Sequence, residues 1–166
     1  MAVTSGSATV TLPTDEQILV TRQFDAPRHL VYRAWTTPDL VRRWWSGRRG
    51  EMKIVDIDLR VGGIWRYVMV AEGDFEVGFH GEFREIVADE RLVSTEIYEG
   101  PGGELPPGVE PPLNTATFAE ADGRTTLTLL TECPSKELRD AIIDSGMETG
   151  MQEQMDVLEE LAVSLR

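Results

Sequence analysis

Apolar positions along the chain change period several times, and each change marks an element. In residues 18–24, Ile18, Val20 and Phe24 alternate with Thr21 and Gln23, the period-two pattern of a half-buried strand. Pro27 then stands where the first turn of a helix tolerates a residue without an N–H. Behind it, Leu30, Val31, Ala34 and Trp35 fall at i, i+1, i+4 and i+5, one apolar face of a helix. Thr37-Pro38 restarts this pattern, with the Thr37 hydroxyl as cap and Pro38 as first helical residue, and Leu40, Val41, Trp44 and Trp45 repeat the face. Two short helices in a V are predicted over 27–45. Strands follow at about 51–59, 63–71, 75–87, 91–98, 113–121 and 124–132, and Asp122-Gly123 signals a hairpin between the last two. Gly62-Gly63 reads as a tight turn. Ser135, after the strand-ending Pro134, is a helix N-cap. The helical stretch it opens should break near Gly146, and beyond the break Met147, Met151, Met155, Leu158, Ala162 and Leu165 form one apolar stripe. An antiparallel sheet is the available surface to bury that stripe.

Residues 1–14 are rich in Ser, Thr, Ala and Gly and are expected to fray, with Ala8 to Leu12 a candidate edge strand. The expected organisation is this flexible segment followed by one domain over 15–166. A chain of 166 residues can bury a sufficient core without disulfides or a structural metal. Cys133 is the only cysteine, so no intramolecular disulfide forms, and it reads as a quiet core thiol. The loop at 99–112 holds five prolines and four glycines in 14 residues, too many breakers for regular structure. It reads either as a lid over a cavity mouth or as a passive surface insertion.

Charge narrows the classes of partner. With 29 acidic and 16 basic side chains the net charge is −13, which repels phosphate backbones, and no basic cluster interleaves with aromatics. Nucleic acid is therefore not an expected partner. Arg42, Arg43, Arg48 and Arg49 form one local basic run, read as the solvated face of a helix and its exit loop. The start of the chain lacks a signal-peptide pattern and no segment has the ~20 apolar residues of a membrane span, so a cytoplasmic protein without a membrane span is expected.

Catalytic chemistry has little visible basis. His29, His80 and Cys133 stand apart in sequence, so no metal site is expected, and no nucleophile elbow, phosphate loop or dinucleotide fingerprint supplies a cofactor site. His80 and Glu96, on neighbouring strands, are the one pair with acid–base character. Binding has a better basis. Trp65, Tyr67 and Met69 share one strand face, Phe79 and Phe83 share one on the next strand with Gly81 between them, and Met147, Met151 and Met155 lie opposite on the long helix.

The segment from Thr21 to Trp45, the strand-turn-strand Asp58 to Tyr67, Gly81 to Val87 with Arg91-Leu92-Val93, and Gly146 to Met151 with Leu158 to Leu161 together resemble a known pattern. It is that of the START-like, helix-grip proteins of the SRPBCC superfamily, in the branch of the heat-shock-protein-90 ATPase activator homologues. The resemblance implies an α+β fold, an antiparallel sheet of about six or seven strands gripping a long C-terminal helix with a cavity between them. It also implies a small hydrophobic or amphipathic ligand, bound without catalysis for sequestration, transport or a stress or toxin response. Trp45, Phe118 and Leu129 join the residues above as candidate cavity wall, with His80 or Glu96 to orient a polar group. Two alternatives come with the superfamily: a polyketide cyclase or dehydratase, and a protein-interaction module whose partner is a chaperone-type protein or a second copy of the chain.

Overall fold

The computed structural model describes residues 8–100 and 105–166. Residues 1–7, expected to fray, and 101–104 of the candidate lid lie outside the described residues. In chain order the elements are β1 (Thr9–Thr11), β2 (Gln17–Phe24), α1 (Arg28–Thr36), α2 (Pro38–Trp44), β3 (Gly50–Ile57), β4 (Ile64–Ala71), β5 (Phe75–Val87), β6 (Arg91–Thr95), β7 (Ile97–Glu99), β8 (Leu113–Ala121), β9 (Arg124–Glu132), α3 (Lys136–Asp144) and α4 (Met147–Ser164).

All strands join one antiparallel sheet in the order β1-β2-β9-β8-β6-β5-β4-β3, with β7 paired to β5 beside β6. The expected strands are present at nearly the expected bounds. The difference in number has two causes. Thr9–Thr11 adds an edge strand on β2, and the predicted 91–98 strand splits at Glu96. The split arises because β5 is long enough to pair with β6 through Phe83–Val87 and with β7 through Gly78–His80, while only β6 continues to β8.

Period-two alternation assigns the faces. Ile18, Val20 and Phe24 of β2 are buried, and across the register Leu127 of β9 and Ala116 and Phe118 of β8 share that helix-facing side. Met151, Met155, Leu158, Leu161 and Ala162 of α4 close over it in the larger of two core clusters. A smaller cluster of Val55, Trp65, Tyr67 and Phe83 is capped by Val41 of α2.

The helix termini follow their local chemistry in part. Ser135 Oγ accepts from the Leu138 N–H at 3.1 Å, as an N-cap does. Gly146 sits at φ +83°, the left-handed region where glycine avoids the Cβ penalty, and it separates α3 from α4. The Thr37 cap does not form: its backbone is extended as an N-cap requires, but its hydroxyl makes no capping bond. Pro27 is itself the N-cap of α1, its carbonyl accepting from Leu30 and Val31.

One ion-pair group fastens α4 to the sheet. Arg22 is 2% exposed on the helix-facing side of β2, and its two terminal nitrogens donate to Asp156 at 2.7 Å and Glu159 at 2.9 Å. Its guanidinium also lies 5.3 Å from the centre of the Phe24 ring.

Candidate functional site

Strand register places the candidate site on the helix-facing side of β4, β5 and β7. Tyr67 stands opposite Phe79, and Phe79 opposite Tyr98, which makes one aromatic row across three strands. Trp65 stands opposite Gly81 in the next row. Ring centroids are 4.9 Å apart for Trp65 and Tyr67 and 5.3 Å for Phe79 and Tyr98. Trp45, just past α2, meets this row edge to face, 5.5 Å from Tyr67 and 5.6 Å from Phe79. The Gln154 side chain of α4 donates to the Trp45 carbonyl and so fixes the α2 exit against the long helix.

Glu96 completes this face. Glu96 lies at the break between β6 and β7, and its carboxylate reaches Asn114, which stands opposite Ser94 and in line with Ala116 and Phe118 on the helix-facing side. The Glu96 N–H donates to the Pro112 carbonyl at 3.0 Å, which ties the end of the 99–112 loop to the site. Its carboxylate accepts from the Asn114 amide at 3.2 Å, and Asn114 accepts in turn from the Thr131 hydroxyl at 2.6 Å. Burial pushes the Glu96 carboxyl above the ordinary carboxylate range, and the Asn114 hydrogen bond partly offsets this.

That shift makes a prediction with a definite sign. A group whose folded-state pKa is raised contributes stability that is fully present below its unfolded value, about 4.3 for glutamate, and loses it as pH rises through the folded value. Glu96→Gln is therefore expected to gain stability over the native chain progressively as pH rises above the unfolded value of about 4.3. Chemical denaturation at a series of pH values checks this, and a stability difference that stays flat with pH would show that the carboxyl is solvated.

The predicted wall residues do not all come together. Trp45, Trp65, Tyr67, Phe79 and Phe83 gather as described. Phe118, Leu129, Met151 and Met155 belong to the other cluster, where Phe118 packs 5.5 Å from Tyr32 and 5.9 Å from Trp35. Met69 and Met147 are half-buried and join neither cluster.

His80 is a correction. It lies one residue from Phe79 and so points to the outer face, opposite Arg66, where its Nδ1 is 2.7 Å from Glu99. Arg66 grips the same carboxylate through two nitrogens, and together with His80 it holds Glu99 below the ordinary carboxylate range. His80 and Glu96 occupy opposite faces of the sheet, so they do not form an acid–base pair. Sequence reasoning missed Tyr98, Asn114 and Thr131. Two-residue spacing from Glu96 to Tyr98, and from Asn114 through Ala116 to Phe118, was the signal that could have found two of them.

Other features fall away from this site. Arg48 and Arg49 of the basic run pair with Glu160 and Glu153 of α4. An open groove of about 940 Å³ beside them, reaching Val70, Glu72 and Phe75, lies at the solvent edge of β3 and β4 rather than between sheet and helix. Cys133 is buried, and burial pushes its thiol above the ordinary range. No helix among the described residues is long and apolar enough to cross a membrane.

The arrangement of a sheet closed by a C-terminal helix, with a helix pair after the second strand, has counterparts. The family model of the activator of Hsp90 ATPase homolog 1-like proteins matches residues 25–162. The chain belongs to that family. A crystal structure from Rhodobacter sphaeroides superposes with a TM-score of 0.85 at 22% identity, covering 96% of this chain and 100% of that one. One from Mycobacterium smegmatis gives 0.81 at 21%, covering 93% and 96%, and one from Chromobacterium violaceum gives 0.76 at 26%, covering 90% and 98%. These likenesses establish the helix-grip fold of this family member. No curated protein gives a significant match to the sequence.

Proposed function

We propose that this family member binds a small amphipathic molecule on the helix-facing side of β4, β5 and β7, without catalysing its conversion. One observation carries the reading: an aromatic face in which Trp45, Phe79 and Tyr98 stay only half-buried is followed, two residues before Tyr98, by Glu96, whose carboxyl reaches Asn114 on the helix-facing side. A closed core would bury such rings fully. Apolar lining with a few placed polar groups is instead the composition of small-molecule sites. The acid–base pair that a cyclase would use is divided between the two faces, which favours binding over catalysis. Toxin or metabolite sequestration and transport are the roles that such a site serves.

The neutral dye N-phenyl-1-naphthylamine tests this reading. A ligand of ~20 heavy atoms at about −0.3 kcal/mol per atom has a dissociation constant of tens of micromolar. The dye is expected to saturate in that range, to brighten, and to quench tryptophan emission through Trp45 and Trp65. Phe79→Ala should weaken its binding several-fold. Absence of saturable binding to the folded protein would defeat the proposal.

A further inference from the structure

We infer that the ligand of this site carries a positively charged amine head group, seated against Glu96 and the aromatic rings of β4, β5 and β7. This rests on the binding-site reading above.

Gly81 lets the Thr95 backbone and the Trp65 indole close in on β5 beside Glu96. A Cβ at this position would lie 1.8 Å from the Thr95 carbonyl oxygen and 2.6 Å from Trp65 Nε1, so only glycine fits. Trp65 leans across the space left there, and its Nε1 donates to the Thr95 carbonyl at 3.2 Å. That brings the indole to the residue preceding Glu96.

The polar chain on this face has a direction. Thr131 donates to Asn114, and Asn114 donates to Glu96, so the run of donors ends on a carboxylate, an acceptor. A ligand group that adds to this end must itself be a donor. An ammonium gains a charge-assisted bond there and the negative faces of nearby rings, whereas a carboxylate or phosphate meets only repulsion. The helix-facing positions of β4 to β7 hold no Lys or Arg to compete for the site or to attract an anion: Arg66 pairs with Glu99 on the outer side, and Arg84 pairs with Glu82 in solvent. A further polar atom waits in the first row. Tyr67 is 9% exposed, and its hydroxyl takes part in none of the side-chain hydrogen bonds among the described residues. The net charge of −13 draws cations toward the protein from a distance.

Three probes with one ring system and different heads separate the possibilities: 2-(2-naphthyl)ethylamine, 2-(2-naphthyl)ethanol and 3-(2-naphthyl)propionate, titrated calorimetrically into the full chain at neutral pH. The amine is expected to bind at least about tenfold tighter than the propionate, in line with a buried charged hydrogen bond. In Glu96→Gln that advantage should vanish. Raising salt to about 0.5 M screens the general attraction of a negative protein but leaves a buried pair in place, so the preference should persist. Equal affinities for all three probes, a preference abolished by salt alone, or a preference retained in Glu96→Gln would each overturn the amine assignment while leaving the binding site standing. Failure of all three to bind would overturn the site itself, and the amine assignment with it.

Discussion

Arg22→Met is expected to lower stability by about 3 kcal/mol, the low end of what breaking a buried ion pair costs. For a chain of this length that corresponds to a fall in Tm of roughly 6–12 °C. The side chain of Arg22 is 1% exposed, while its partners Asp156 and Glu159 are 44% and 15% exposed. Removing the guanidinium strands Glu159 more than Asp156, because Asp156 can turn to water. Glu159 has one compensation, since its second oxygen accepts from the Asp25 N–H at 3.0 Å. Asp156→Asn should therefore have a much smaller effect than Arg22→Met. Arg22 Nε is buried without a hydrogen-bond partner, so the group already carries a desolvation penalty. Replacing Arg22 and Glu159 together by apolar residues should for that reason restore part of the loss. Thermal melts of the three variants test this, and an unchanged Tm for Arg22→Met would mean that α4 is held by its apolar stripe alone.

Legibility in the sequence followed the strength of local chemistry. Alternation located the strands from β2 to β9 because each buries one face, and a period-two signal survives wherever one face is buried. Asp122 and Gly123 both adopt positive φ, 54° and 74°, as the hairpin signal required. What stayed hidden was which parity faced inward. In β5 the odd positions carry Phe75, Val77, Phe79, Gly81 and Phe83, yet Phe75 is 59% exposed, because it lies at the hairpin end beyond the reach of the helices. His80 was placed with the wrong neighbours for the same reason: one step along a strand reverses a side chain, and only the register with Arg66 and Ile97 settles the direction. The Thr37 cap failed because helix start signals name a residue able to cap, not one whose hydroxyl is turned toward the free N–H groups. Side-chain identity also did not reveal that the candidate wall falls into two clusters, since that division depends on where α2 and α4 cross the sheet.

The two clusters should respond differently to truncation. Phe118 is 1% exposed and wedged against Tyr32 and Trp35, so Phe118→Ala is expected to cost about 3–5 kcal/mol through lost burial and an unfilled cavity. Phe79 is half-buried on the proposed ligand face, and Phe79→Ala should cost about half as much because less surface was removed from water in folding. Binding should divide the other way. Folded Phe118→Ala, held well below its melting temperature, is expected to bind N-phenyl-1-naphthylamine like the native chain, whereas Phe79→Ala loses affinity at modest cost in stability. Phe118 belongs to the interior that α1 and α4 close, whereas Tyr67 and Phe79 belong to the smaller cluster under α2. If Phe118→Ala instead weakens the dye and Phe79→Ala does not, the ligand sits over β8 under α4, and the aromatic row of β4, β5 and β7 is core.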